Sequence, residues 1–175
     1  MMPPELTERA KLEELQAYLA EDEWRFDLDE ESQELVCHVD GKDLGWVVRI
    51  ITSVEPENQL LRLIGTYSIK VPEARLKEMA ELVTRLNAGI DQGYFYLLFD
   101  SGRIGFTASV HAGDSPITRT MLLDTLYRSV QCMNDFSSAL LSVGFANVSA
   151  CDAYERIQEE VAQAATQVDV ATTLQ

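Results

Sequence analysis

His38 and His111 are the only histidines of the chain, and Cys37, Cys132 and Cys151 are its only thiols. A structural or catalytic metal centre needs such residues at short, fixed spacing so that they converge on one point. Only Cys37 and His38 are adjacent, and neighbours on a strand point to opposite faces of a sheet, so the two do not share a metal. A cysteine nucleophile needs a base or a positive field to hold its thiolate. This chain instead sets 14 basic against 29 acidic residues. With no CxxC, the three thiols are expected to be reduced and buried. Paired carboxylates can do acid-base work across a cleft. Glu21, Asp22, Glu23, Asp27, Asp29, Glu30 and Glu31 crowd a helix end and a turn instead, which makes them an acidic, solvated face suited to steering a basic partner. The GRIG of Gly102 to Gly105 lies in a hairpin and carries only Arg103, so it reads as a turn and not as a nucleic-acid clamp. The phosphate-loop, dinucleotide, HExxH and GxSxG signatures are all absent. No catalytic, cofactor or metal site is therefore expected, and the chain is not read as an enzyme.

A net charge of -15 repels phosphate backbones and anionic membrane surfaces, which argues against both as partners. Hydrophobic residues at 46% and charged residues at 25% are those of a folded globular chain, and 175 residues suffice for one substantial core. The opening MMPPELTERAKLEEL lacks a basic stretch followed by an apolar core, and no apolar run approaches the roughly 20 residues of a membrane span. A cytoplasmic location is the expectation.

The elements that must position any site follow from periodicity. Leu12, Leu15 and Leu19 form one stripe of a helix from Glu5 to Ala20. Runs from Trp24 to Leu28, Glu34 to Val39, Gly45 to Val54 and Gln59 to Ile69, broken by EESQ, DGKD and EPEN, predict an antiparallel meander. Pro72 opens a helix carrying Leu76, Met79, Leu82, Val83 and Leu86, closed by a cap at Asn87 and Gly89. A hairpin of Tyr94 to Phe99 and Arg103 to Val110 follows, with Ile104, Phe106, Ala108 and Val110 on one face and Arg103, Thr107 and Ser109 on the other. Ser115 and Pro116 then start a long helix from about Ile117 to Val143. Gly144 interrupts it, and Ser149 with Asp152 caps a last helix through about Val168, leaving ATTLQ frayed. The fold class is α+β, with residues 1–145 as its body and residues 146–175 as a helical extension.

Two strands carry apolar residues on both faces, although a sheet covered on one side alone should be polar on the other. Trp46, Val48 and Ile50 oppose Val47 and Ile51, and Leu61 and Leu63 oppose Leu60 and Ile64. The long helix is also broader in its apolar stripe than one sheet face requires, through Met121, Met133 and Phe136 among others. Trp46, Val48, Ile50, Met121, Met133 and Phe136 are accordingly the candidate residues for a protein-binding or dimer interface.

The segments SIKVPEARLKEMAELVTRLNAGI and GYFYLLFDSGRIGFTASV carry a resemblance. The chain resembles the YbjN family of sensory transduction regulators, whose fold is similar to that of the type III secretion chaperones. The likeness spans about Glu5 to Val143. It implies a compact α+β domain that dimerises and binds protein segments, and an acidic pI, here about 4.4, fits the chaperone group. The helix from Ser149 to Val168 is a departure that either adds a dimer contact or covers a client groove. The expected function is a non-catalytic chaperone-like or regulatory adaptor, homodimeric, with itself and an unidentified basic protein client as partners. The alternative is a small-molecule-sensing regulator with a pocket between helix and sheet.

Overall fold

A computed structural model describes residues 4–41, 45–53 and 59–173, with side chains described for residues 10–41, 47 and 59–163. The order is α1 (Pro4–Glu21), β1 (Phe26–Asp29), β2 (Glu34–Asp40), β3 (Gly45–Ser53), β4 (Gln59–Lys70), a 3-10 turn (Glu73–Arg75), α2 (Leu76–Asn87), β5 (Tyr94–Leu98), β6 (Arg103–Gly113), α3 (Arg119–Phe145) and α4 (Ala150–Thr173). The α+β expectation holds in element type and order. The EPEN turn and most of the DGKD turn fall on residues 54–58 and 42–44, outside the described residues.

All six strands join one antiparallel sheet in the order β1-β2-β3-β4-β6-β5. Its alternation is clearest in β4. In β4, Leu61, Leu63, Gly65 and Tyr67 are buried, while Arg62, Ile64, Thr66 and Ser68 face the other way and keep solvent access. The buried side is the one the helices cover. There α3 lies on β4 and β6, flanked by α1 and α2, and α4 packs on α2 and α3.

The 27 residues of α3 reach about 40 Å at 1.5 Å per residue, enough to cross the whole sheet. Its apolar breadth is matched by its neighbours. Leu122, Leu126, Met133, Leu140 and Val143 are all fully buried. Leu12, Leu15 and Leu19 of α1 are buried, as their spacing predicts. Burial of each such leucine contributes roughly 1.5–3 kcal/mol. Phe95 and Phe106 meet edge to face at 5.1 Å, and Phe136 adds a second edge contact to Phe95 at 5.7 Å.

Several local expectations are corrected by hydrogen bonds. Thr118, not Ser115, caps α3, its side chain accepting from the Met121 N–H at 3.2 Å, and Pro116 lies outside the helix. Pro72 precedes the short 3-10 turn instead of opening α2. Gly144 does not interrupt α3; it is buried within the last turn beside Met79 of α2. Asn87 does not cap α2. Its amide donates to the Phe95 carbonyl at 3.0 Å and accepts from the Phe95 N–H at 2.8 Å, standing in for a neighbouring strand at the free edge of β5. Ser149 does cap α4, accepting from the Asp152 N–H at 3.0 Å, and α4 continues past the expected Val168 to Thr173.

The carboxylate run around residue 22 is only partly a solvated face. Asp22 accepts from Tyr127 and from Arg119, the latter at 2.9 Å, tying the end of α1 to the start of α3. The Tyr127 hydroxyl, with the Arg119 guanidinium beside it, holds Asp22 below the usual carboxylate range. Asp29 accepts from the backbone of Glu31 and Ser32 and so shapes the β1–β2 turn.

Candidate protein-binding face

The three thiols sit in surroundings that disfavour the thiolate. Burial pushes the Cys37 thiol up to about 11 and the Cys132 thiol, with Asp135 nearby, up to about 12. Cys151 is exposed, against the expectation of burial, and its hydrogen bond to Glu155 raises it too. Raised thiols carry little thiolate at neutral pH and are poor nucleophiles. Cys37 is buried while its neighbour His38 is exposed beside Asp27 at 3.4 Å, so the two do point to opposite faces. Among the described residues no three His, Cys, Asp or Glu side chains are grouped as metal ligands. No helix among them is long and apolar enough to cross a membrane.

The expected contact residues divide. Met133 is fully buried: its sulfur sits where a Cβ on Gly65 would be, and its carbonyl accepts from the Tyr67 hydroxyl at 2.6 Å. It offers no surface to a partner, because the glycine lets the helix settle onto the sheet at that point. Phe136 is half-buried against Phe95, and Met121 is half-buried against the core. The side chains of Trp46, Val48 and Ile50 lie outside the described residues; their strand positions pair with Tyr67, Gly65 and Leu63.

What remains uncovered is the second face of the sheet. Register places Tyr94 opposite Thr107 and Tyr96 opposite Gly105, with Gly105 in turn opposite Thr66. The end of the Tyr96 side chain lies close to Gly105, where an added Cβ would meet the Tyr96 hydroxyl oxygen at 2.6 Å and the Gly65 carbonyl at 2.1 Å. Its hydroxyl is 3.2 Å from the Thr66 hydroxyl. Arg62, Ile64, Tyr94, Tyr96 and Thr107 line a shallow cavity of about 340 Å³. Tyr94 is 56% exposed, and Leu98 and Phe99 at the hairpin tip are 51% and 55% exposed.

A second hollow, about 510 Å³, opens at the end of the same face where the β4–β6 ladder breaks register between Thr66 and Lys70. His38, Asp40, Val47, Lys70 and Arg103 are among its walls. Arg62, Tyr94, Tyr96 and Arg103 went unnoticed as a group in the sequence. The available signal was compositional: β4, β5 and β6 contain Arg62, Lys70 and Arg103 and no acidic residue at all, in a chain with 29 acids.

Residues 11–142 match the YbjN family, described as "putative bacterial sensory transduction regulator". The fold is similar to that of a solved structure, "YbjN, a putative transcription regulator from E. coli", with a TM-score of 0.50 and 12% identity over 73% of this chain and 91% of that one. At that identity the likeness is one of fold. No curated protein matches the chain.

Proposed function

The chain belongs to the YbjN family, whose description is that of a regulator and not of an enzyme, and on that premise we propose that it regulates by holding a partner protein against the open face of its sheet. One observation carries the reading. Ile64, Tyr94 and Tyr96 form an apolar and aromatic surface on the side of the sheet that no described helix covers, while the other side is sealed. Exposed apolar surface rimmed by polar side chains marks interaction sites, and tyrosine and arginine are the residues that dominate binding energy at them.

Phe95, Phe106, Leu63 and Met133 pack between helices and sheet, and the two hollows described above open on the other face, which favours the docking reading over a small-molecule pocket between helix and sheet. The homodimer was expected from the apolar breadth of α3, from the doubly apolar strands and from the family resemblance; Met133 is sealed and Phe136 is engaged within the chain, so α3 gives that expectation little support.

A photo-crosslinking residue at position 94 should capture a stoichiometric partner from the native host, and the same residue at exposed position 155 on α4 should not. Ile64→Asp should abolish the capture while leaving the fold intact. Equal capture from both positions, or capture indifferent to Ile64→Asp, defeats the reading.

A further inference from the structure

We infer that the segment received by the open face is acidic and apolar, an amphipathic stretch with carboxylates set against Arg62, Lys70 and Arg103. This rests on the docking reading above and reverses the sign expected from net charge alone. The face has a polarity of its own. Strands β4, β5 and β6 carry these three cations and no carboxylate, although the whole chain stands at -15. All three side chains are exposed, and among the described residues none meets a carboxylate at ion-pair distance. The exposed acids of the helices, such as Glu13, Glu155 and Glu159, lie behind the sheet, on the order of 10 Å or more away. That is a Debye length at physiological ionic strength, so over β4, β5 and β6 these cations set the field that a docking segment feels, with Asp40 and Asp100 at its margin.

Arrangement narrows the occupant further. Arg62 lines the same shallow cavity as Ile64 and the two tyrosines, and arginine there offers planar, paired hydrogen bonds to a carboxylate. Lys70 and Arg103 flank the larger hollow, whose acidic wall is Asp40. Toward β1 and β2 the same face turns acidic with Asp27, Glu34 and Asp40. A long polyanion crossing the strands would run onto those carboxylates, which favours a short segment with discrete charges over nucleic acid. A second copy of this sheet laid with β4, β5 and β6 overlapping would bring cations against cations.

The test uses the full chain and two short synthetic helices that share a leucine-phenylalanine stripe, one with glutamates on its polar side and one with lysines. The glutamate helix should shift the amide resonances of Arg62, Ile64, Tyr94, Tyr96 and Thr107. Its affinity should fall roughly tenfold or more in Arg62→Glu/Arg103→Glu, less in Arg62→Gln/Arg103→Gln, and as salt rises from about 0.05 to about 0.5 M. Both arginines are exposed, so unchanged circular dichroism is expected of each variant. Equal or tighter binding of the lysine helix overturns the inference, as does affinity for the glutamate helix that ignores the arginine changes. Tighter occupation of the same amides by single-stranded RNA or DNA overturns it in favour of nucleic acid. If neither helix shifts the face while crosslinking at position 94 still captures a partner, this inference falls and the docking reading stands. If both experiments are blank, both fall.

Discussion

Gly65 shows how much of the architecture one absent side chain carries. A Cβ there would sit 2.2 Å from the Met133 sulfur and 3.1 Å from its methyl, so the flexible end of this fully buried side chain would have to shift within a packed core. Gly65→Ala should therefore destabilise the chain by about 2 kcal/mol through overpacking, lowering the melting temperature by roughly 6 °C. Met133→Ala alone should cost about 3 kcal/mol by leaving a cavity. The double variant should be more stable than the sum of the two, because the methyl added at position 65 partly fills the space that the shortened side chain vacates. Calorimetry on the three variants measures that coupling, and simple additivity would mean the contact is not what positions α3. The buried stripes of α1, α2 and β6 were legible in the sequence because period and burial coincide there. Gly65 was not, since a glycine inside a strand announces close approach without saying by what. Tyr94 and Tyr96 were hidden for a related reason: they alternate with buried Phe95 in the run YFYLL, where an aromatic facing solvent and one facing the core are the same kind of residue.

Elements are joined here by side chains that reach far along the chain. Arg75, just before α2, donates to the Val143 carbonyl at 2.8 Å, the Asn147 side chain at 3.2 Å and the Val148 carbonyl at 2.6 Å. A guanidinium at the end of α3 satisfies carbonyls that have no helical partner and meets the negative end of the helix dipole. Three residues on, Glu78 accepts from the Ala150 N–H at 2.6 Å, at the positive start of α4. One turn of chain thus holds both sides of the α3–α4 connection, where Asn147 adopts a φ of 56°. Arg75→Ala should destabilise by about 2 kcal/mol, and Arg75→Lys should recover only part of that, since an ammonium cannot reproduce the planar fork. Amide exchange should accelerate first at the start of α4; exchange that rises uniformly would mean Arg75 acts on the whole core instead. Helix existence was readable from apolar spacing, but these ties were not. The Ser149 cap was readable, but the α3 cap lies at Thr118 and not at Ser115, and the Asn87 amide, expected to close α2, is spent on Phe95 of a different element.

At the scale of the whole molecule the question is which surfaces are left for a twin. The α3 stripe is covered by the sheet and the other helices. Strand addition at β5 is obstructed where Asn87 already occupies both backbone groups of Phe95. Sheet-to-sheet stacking that overlaps β4, β5 and β6 of two copies would set their cations against one another without carboxylates on those strands to separate them. Among the described residues the large exposed apolar side chains of the helices, Tyr127, Phe145 and Val161, are scattered over α3 and α4, and Tyr127 is already bonded to Asp22 and packed edge-on to Trp24. Specific, stable interfaces bury roughly 800 Å² per partner around a contiguous apolar centre, which scattered residues do not supply. Light scattering of the purified chain should therefore report a monomer at moderate salt. The outcome that would restore a twin is a dimer that survives Arg62→Glu/Arg103→Glu and dissociates on Phe145→Glu, since it would place the contact on the helical side and leave the open face for the partner. A dimer that instead tightens as salt is raised would point to the sheets themselves, with screened arginines no longer holding the two faces apart.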